Sequence, residues 1–363
     1  MKIAIRADAS LIIGSGHIMR CLTLATALRS QGAEIVFLSR PHEGNLNTYV
    51  QAKGFEIALL DDPNNESDST LAHSDWLGTT QLDDARQCQK AINSQFDWLI
   101  IDHYAIDRTW QLAMKPCYKK LMVIDDLGDR RHECDVLLDQ NYGSDAEKYE
   151  SLVPRHCHLF LGTQFALLRP EFSQWRSFSI VRRSQPELKK LLINLGGVDV
   201  DNLTSKIIHQ IDKSDKFKHL NLTVVLGNSS PHFEKVSHIA KESNCNITVK
   251  AGVDNMAELM ANADLAIGAA GSTSWERCCL GLPTIQIVLA ENQKLIAHSL
   301  ERNNAAKVLQ DLGYLNDLIS SSTMWMGNVS RNAIDICDGS GSDRIALAIL
   351  GRLSNEDNHF SIG

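Results

Sequence analysis

The stretch IGAAGSTSWERCCLGLPTIQIVLAENQ, residues 267–293, decides the fold. The apolar run Asp264–Gly268 predicts a strand that leads into a turn of small residues, a short helix and a second strand. Gly271 permits a ligand to approach the backbone closely. Free N–H groups at Ser272–Ser274 would face an anion with the helix dipole behind them. The pattern predicts a nucleotide-diphosphate site at the carboxyl end of a parallel sheet.

Glu276 lies one turn into this helix and has two interpretations. Its carboxylate could accept hydrogen bonds from the two hydroxyls of a ribose. Thr273-Ser-Trp-Glu276 also fits a capping box, in which Glu276 accepts a hydrogen bond from the backbone N–H of Thr273. The local pattern alone does not choose between a ligand contact and a helix cap.

A second glycine-rich turn, Gly14-Ser-Gly16-His17, follows the predicted strand Lys2–Ala7 and opens an amphipathic helix. His17 therefore lies at a helix N-terminus, which disfavours the protonated ring. A neutral imidazole can act as a general base. Arg20, one turn later, is a candidate anion partner. The alternative is a histidine that only caps the helix or forms a local hydrogen bond.

Composition narrows the functional class. The chain has 363 residues, which favours two domains, and 44% of them are hydrophobic, enough for two cores. The net charge is −8 with no Lys/Arg block, which argues against nucleic-acid binding. The sequence has no stretch of 18 apolar residues, so we predict no membrane span.

The nine cysteines are scattered, and none form a C-x-x-C pair. This pattern is typical of reduced, mostly buried thiols and makes a zinc site improbable. Met1 leads directly into a charged strand rather than a signal peptide. These features predict a cytoplasmic protein.

Two regions of the chain each show a repeated alternation of strand and helix patterns. Residues 1–165 predict a first Rossmann-like domain, and residues 191–363 a second. Residues 166–190 break the pattern and are interpreted as the linker. In the second domain we expect Asp254 to cap a helix, residues 294–311 to be helical, and Ser342–Leu353 to form the last helix. Apolar strands without clean alternation indicate parallel sheets covered on both faces.

The motifs, taken together, resemble the UDP-sugar hydrolases of the pseudaminic-acid pathway, which act on UDP-2,4-diacetamido-2,4,6-trideoxy-β-L-altropyranose. The resemblance covers nearly the whole chain, and the last ~40 residues carry least of it. The matching segments are Arg6–Asp8, Gly14–Ala25, Ile101–Tyr104, Ile124–Leu127, Leu138–Asn141, Leu167–Pro170, Asn194–Asp199, Ala269–Glu276 and Asn292–Gln293.

Such enzymes are similar to the MurG-type glycosyltransferases. The resemblance therefore implies an α/β fold of GT-B type, with two Rossmann-like doubly wound domains facing a cleft. It implies removal of UDP by water with inversion at the anomeric carbon, without a metal or cofactor, in pseudaminic acid biosynthesis for surface glycans and flagellin. The partner would be a small-molecule UDP-sugar, with no nucleic acid and no membrane, and the oligomeric state stays open.

The resemblance also implies site residues. His17 becomes the base that activates water, and Glu276 the ribose ligand. Backbone at Val253–Met256 would face uracil. The other substrate-binding candidates are Gly14, Gly16, Arg20, Tyr104, Gly197, Gly227, Asn228, Met256, Gly271, Ser272, Thr273, Asn292 and Gln293.

Four further acidic residues carry weaker signals. Asp102 ends a predicted strand beside Tyr104 and could orient the water, support the sugar ring or simply cap a turn. Asp125-Asp126 also ends a strand, where solvation in a loop is favoured over a metal site. Asp8 could orient Arg20 or His17.

Three other functions compete with hydrolysis. A GT-B glycosyltransferase would pass the sugar to an acceptor, a silent module would only bind the nucleotide-sugar, and a hydrolysing 2-epimerase would abstract a proton at C2. Release of UDP without an acceptor separates the first two from a hydrolase, and product stereochemistry separates the third.

Overall fold

The computed structural model describes residues 1–64, 66–67, 71–92, 94–196, 199–228 and 230–352. The strands are β1 (Lys2–Ala7), β2 (Glu34–Ser39), β3 (Glu56–Leu59), β4 (Phe96–Asp102), β5 (Tyr118–Ile124), β6 (Val136–Asp139), β7 (His158–Leu161), β8 (Lys190–Asn194), β9 (Asn221–Leu226), β10 (Asn246–Ala251), β11 (Leu265–Ala269), β12 (Thr284–Ile287) and β13 (Lys307–Val308).

The α-helices are α1 (Gly16–Ser30), α2 (Asn47–Ala52), α3 (Gln81–Ala91), α4 (Arg108–Ala113), α5 (Pro170–Arg182), α6 (Leu203–Asp212), α7 (Phe233–Glu242), α8 (Met256–Asn262), α9 (Thr273–Cys279), α10 (Lys294–Arg302), α11 (Leu315–Ser320), α12 (Ser322–Ile334) and α13 (Gly341–Ile349). The alternation of strands and helices predicted from the sequence is confirmed.

Two parallel sheets organise the chain. The first has the order β3-β2-β1-β4-β5-β6-β7 and the second β10-β9-β8-β11-β12-β13. In each sheet the order reverses beside the unit's first strand, as in doubly wound folds. Ligands of such sheets bind where the order reverses, at the carboxyl ends of the strands. The relevant pairs are β1 with β4 in the first sheet and β8 with β11 in the second.

The chain divides into two compact units, Met1–Leu168 with Ser340–Gly363, and Arg169–Gly339. The predicted boundaries are wrong at the last helix, because α13 packs against α1 of the first unit. Gly341 makes this return possible, since a Cβ there would lie 2.4 Å from the carbonyl oxygen of Ala166. The side chains of Ile345 and Ile349 complete the first core.

The predicted linker 166–190 is also wrong, because α5 is a helix of the second unit. Its Arg176 donates to the carbonyl oxygens of Cys279 and Cys337 at 2.5 and 2.8 Å. Ser179 donates to the carbonyl oxygen of Leu280 at 2.6 Å. These polar contacts to backbone hold α5 in place. Its buried residues are Phe172 and Ser179, so the sequence lacks the broad apolar face that indicates a helix.

Three further expectations fail for local reasons. The helix expected over 294–311 ends at Arg302, because Asn304 takes the left-handed φ of +50° that is typical after a helix C-terminus. Asp254 does not cap α8, whose N-cap is Asn255 without a side-chain cap hydrogen bond. The last helix ends at Ile349 rather than Leu353.

Candidate active site

In the first sheet the strand order reverses between β1 and β4, and we call this place the first switch point. It brings His17 beside Asp102. His17 is the second residue of α1, which follows β1, and Asp102 is the last residue of β4. Because β1 and β4 are paired neighbours, the two side chains meet at the carboxyl edge. The His17 Nδ1 lies 2.6 Å from Asp102 Oδ1, and both side chains are buried.

This contact fixes the tautomer of His17. A carboxylate only accepts, so Nδ1 carries the proton and Nε2 keeps its lone pair. Nε2 has no hydrogen-bond partner among the described residues. The arrangement can therefore take a proton at Nε2 while Asp102 stabilises the imidazolium that forms.

Arg20 holds Asp102 ionised. Burial by itself raises the pKa of the Asp102 carboxyl. The charge of Arg20 and the contact of Asp102 with His17 together lower that pKa well below its usual value. Arg20 donates through Nε to Oδ2 at 2.6 Å and through a terminal nitrogen to Oδ1 at 2.7 Å. Arg20 was a candidate anion partner, and its partners here are the protein's own carboxylates.

Tyr104 and Asp126 extend this network. Tyr104 donates its hydroxyl proton to Asp126, and Asp126 also accepts from Arg20 at 3.4 Å. The Tyr104 ring meets the ring of His17 edge-on, with 4.6 Å between centroids. The interpretation of Asp126 as a solvated loop residue is wrong, since it ties Tyr104 to Arg20.

Asp8 and Asp125 have other partners. Asp8 lies 2.7 Å from Arg6 and accepts from the backbone N–H of Arg40 at 2.8 Å, so it does not orient His17 or Arg20 directly. Asp125 is buried and pairs with Arg130 at 2.9 Å, which corrects its interpretation as loop-solvated. Both carboxylates form buried ion pairs that stabilise the edge of the sheet.

The second switch point carries the turn after β11. Ser274 donates its backbone N–H to the carbonyl of Gly271 at 2.9 Å, so the expectation of a free N–H there is wrong. The N–H groups of Gly271, Ser272 and Thr273 have no acceptor among the described residues. Three backbone donors in series remain available to an anion.

Glu276 does not cap its helix. The N-cap of α9 is Ser272, with no side-chain cap hydrogen bond. The Glu276 carboxylate has no hydrogen-bond partner among the described residues. Burial raises its pKa to about 7, and the charges of Arg169 and Arg277 offset this only in part. A half-buried acceptor without a donor fits a ligand hydroxyl better than a capping box.

Arg277 braces the same turn from inside. It donates to the carbonyl oxygen of Ala269 at 2.6 Å, to Ser274 Oγ at 3.0 Å and to Thr273 Oγ1 at 3.1 Å. Burial lowers its pKa to about 10. A Cβ on Gly268 would lie 2.5 Å from this guanidinium, so glycine is required there.

Five of the remaining candidates lie in three places. Gly14, at φ +78°, and Gly16 form the turn before His17. In the second unit, Gln293 Nε2 lies 3.8 Å from where a Cβ of Gly271 would be. After β9, which ends just before Gly227, Asn228 packs so tightly on Gly252 that a Cβ there would lie 1.6 Å from Asn228 Oδ1.

Met256 is the first residue of α8 and is half-buried. Gly197 and the side chain of Asn292 lie outside the described part of the structure. Proximity in the sequence indicates Asp8 as the partner of His17 or Arg20, and the contact of His17 with Asp102 is not predicted. Only strand order separates the two, because Asp102 ends the strand beside β1.

Within the described residues, no group of three or more His, Cys, Asp or Glu side chains could hold a metal ion. No helix among them is long and apolar enough to cross a membrane. All nine cysteines are free thiols, as the sequence predicted, and Cys117 and Cys157 are half-buried rather than buried.

Comparisons with known proteins bear on both units. Residues 195–321 match the glycosyltransferase family 28 C-terminal domain. The chain is 28% identical over 316 residues to the UDP-2,4-diacetamido-2,4,6-trideoxy-beta-L-altropyranose hydrolase of Campylobacter jejuni, which covers 86% of this chain and 98% of that protein. This similarity confirms the resemblance seen in the motifs.

An uncharacterized protein of Methanocaldococcus jannaschii is 28% identical over 299 residues, 81% of this chain, which spans 57% of that relative's length. Among solved structures, MurG of Acinetobacter baumannii aligns with 96% of this chain and 99% of its own, with a TM-score of 0.64 at 15% identity. The two parallel-sheet units are those of the GT-B fold.

Proposed function

We propose that this protein is a metal-independent hydrolase of UDP-2,4-diacetamido-2,4,6-trideoxy-β-L-altropyranose, with His17 as the general base, acting in pseudaminic acid biosynthesis. The observation that carries the proposal is the His17–Asp102 pair, in which Nδ1 is held by a buried carboxylate and Nε2 has no hydrogen-bond partner in the part of the chain that the structure describes. The similarity to the Campylobacter jejuni hydrolase supports the choice of substrate.

In the proposed reaction, His17 Nε2 removes a proton from water as the water oxygen attacks the anomeric carbon. The bond between that carbon and the β-phosphate oxygen breaks, and UDP leaves with its electron pair. Asp102 stabilises the resulting imidazolium. Attack from the face opposite UDP gives a free sugar of inverted anomeric configuration.

The second unit would hold the nucleotide. The N–H groups of Gly271 to Thr273 would stabilise the charge that builds on the diphosphate. Glu276 would accept from the ribose hydroxyls, and the backbone at Val253–Met256 would face uracil. The other binding residues proposed in this unit are Gly197, Gly227, Asn228, Asn292 and Gln293. The cytoplasm, where such a nucleotide-sugar would be available, is the proposed location.

One observation favours a second candidate, a GT-B glycosyltransferase that uses a UDP-sugar donor. The matched domain model over 195–321 is that of a glycosyltransferase family. In that case His17 would deprotonate a sugar or lipid hydroxyl instead of water. A module that only binds UDP-sugar would not need the orienting carboxylate of Asp102.

The test is to incubate the purified protein and EDTA with UDP-2,4-diacetamido-2,4,6-trideoxy-β-L-altropyranose and to follow the anomeric protons by NMR. We expect UDP and the free sugar of inverted configuration to appear together. Substrate that binds but persists without an acceptor would overturn hydrolysis in favour of the transferase or the binding module. A product epimerised at C2 would indicate a hydrolysing 2-epimerase.

A further inference from the structure

An aromatic cluster formed by His73, Trp76 and Tyr104 lies beside His17 in the first unit. Trp76 is stacked on Tyr104 with 5.7 Å between ring centroids and an interplanar angle of 28°. Its centroid lies 6.2 Å from the His17 ring, which it meets edge-on, and 4.4 Å from His73. Trp76 therefore belongs to the immediate surroundings of the candidate base.

The local fold holds Trp76 in this position. It belongs to a 3₁₀ helix, Ser74–Leu77, whose last residue is buried in the core beneath. Gly78 then takes a left-handed φ of +72°. A side chain at Gly78 would collide with His42 and Pro63, at 2.8 and 2.7 Å. The packing of Leu77 in the core and of Gly78 against His42 and Pro63 therefore positions the backbone that carries the indole.

The surroundings of Trp76 differ from those of a core tryptophan. Trp110 is fully buried, and its indole N–H donates to Asp84 at 2.8 Å. Trp76 is half-buried, and its indole N–H has no acceptor among the described residues. Tryptophan at binding sites typically offers a large apolar face together with one donor. The exposed part of Trp76 is available to a ligand that reaches His17.

We propose that Trp76 determines specificity by packing against the apolar groups of the sugar, namely the methyl at C6 and an acetamido methyl. This inference rests on the proposed function, because it takes the sugar of that substrate as the ligand. A 2,4-diacetamido-2,4,6-trideoxy sugar carries three methyl groups, unlike an ordinary hexose. Small-molecule sites are lined by apolar and aromatic side chains with a few placed polar groups. The indole would supply the apolar wall beside the base.

The experiment measures binding of intact substrate in a background that does not turn it over. Titration calorimetry with the UDP-sugar, and separately with UDP, compares His17→Asn with the double variants His17→Asn/Trp76→Ala and His17→Asn/Trp76→Phe. The matched control is His17→Asn/Trp175→Ala, because Trp175 is a half-buried tryptophan of the other unit. Wild-type protein is first tested for UDP release, so that a failure of the proposed function is seen separately.

We expect Trp76→Ala to weaken UDP-sugar binding by about 10- to 100-fold, the range for losing apolar contact with one or two methyl groups. Trp76→Phe should lose less, and the UDP affinity of both should stay within about 2-fold of the background. Equal losses for UDP and UDP-sugar, or no loss for either, would overturn the proposal. If Trp76→Ala does not fold, the Trp76→Phe result and the affinity ratio of UDP-sugar to UDP decide the question.

Discussion

In the first unit the carboxylate of Asp102 accepts from His17 and Arg20 at 2.6–2.7 Å, so both of its oxygens have partners within the protein. In the second unit the carboxylate of Glu276 has no hydrogen-bond partner among the described residues, and three successive backbone N–H groups before it are unpaired. The carboxylate at the first edge is paired within the protein, whereas the polar groups named at the second edge have no partner among the described residues. This difference is what we expect if the first unit supplies chemistry and the second supplies nucleotide binding.

His17→Asn tests the division of roles most strongly. We expect kcat for UDP release to fall by about 10³- to 10⁴-fold, because asparagine cannot take the proton from water. The affinity for UDP should stay within about 2-fold, since the proposed nucleotide contacts belong to the other unit. UDP release and calorimetric titration with UDP provide the two readouts.

His156→Asn is the control for His17→Asn, because this histidine of the same unit is 64% exposed. It should leave both readouts unchanged. A loss of UDP affinity in His17→Asn as large as its loss of rate would contradict the assignment of chemistry and binding to different units.

Asp102→Asn weakens the organised edge without removing the base. Asparagine no longer enforces the Nδ1–H tautomer or stabilises imidazolium, so we expect kcat to fall by about 10²-fold. The variant should also unfold at lower urea concentration, because the half-buried Arg20 loses its ion pair with Asp102 and keeps only the longer one with Asp126. Rates measured well below the unfolding transition separate the two effects.

Asp126→Asn is the matched variant for Asp102→Asn. It keeps the contact between His17 and Asp102 and alters only the outer partner of Arg20 and Tyr104. Its kcat should stay within about 10-fold of wild type. If both variants lose the same rate, the network matters for packing rather than for the base.

Glu276→Gln sharpens the comparison from the second unit. The pKa of Glu276 is raised to about 7, so between its ordinary value and pH 7 the folded state binds more protons than the unfolded state. The free energy of unfolding therefore falls as pH rises through that window. Glutamine carries no charge that must be buried at high pH. We therefore expect the variant to be more stable than wild type by about 1–2 kcal/mol at pH 8, a value reduced for partial exposure of the side chain. At pH 5.5 the difference in stability should be smaller.

The same substitution should weaken UDP binding about 10-fold at pH 8, through the lost charge-assisted hydrogen bonds to ribose. Wild-type affinity for UDP should rise from pH 6 to pH 8 as the carboxylate ionises. Glu234→Gln, an exposed residue in the first turn of α7, should change neither quantity. A Glu276→Gln variant that is less stable at pH 8 and binds UDP normally would restore the capping-box interpretation.

The sequence was sufficient to predict both Gly-rich turns, which depend on glycine. It was also sufficient to predict the alternation of strands and helices, which depends on local periodicity. It could not identify α5, which is held by arginine and serine contacts to distant carbonyl groups. Nor could it pair His17 with Asp102, since that contact depends on which strand lies beside β1. Long-range pairing, rather than local pattern, determines the partner of the base.

Gly271→Ala is the mildest change and tests whether a ligand approaches the second turn. Its backbone is not left-handed, and the nearest atom to an added Cβ is Gln293 Nε2 at 3.8 Å, so the free energy of unfolding should change by less than about 0.5 kcal/mol. UDP affinity should fall about 5-fold, because the new methyl crowds a diphosphate packed on the backbone. Gly268→Ala is the contrasting variant, since its Cβ would lie 2.5 Å from Arg277 and should destabilise the protein without any ligand. If Gly271→Ala binds UDP as wild type does, the unpaired N–H groups do not meet a diphosphate, and the difference between the two edges needs another cause.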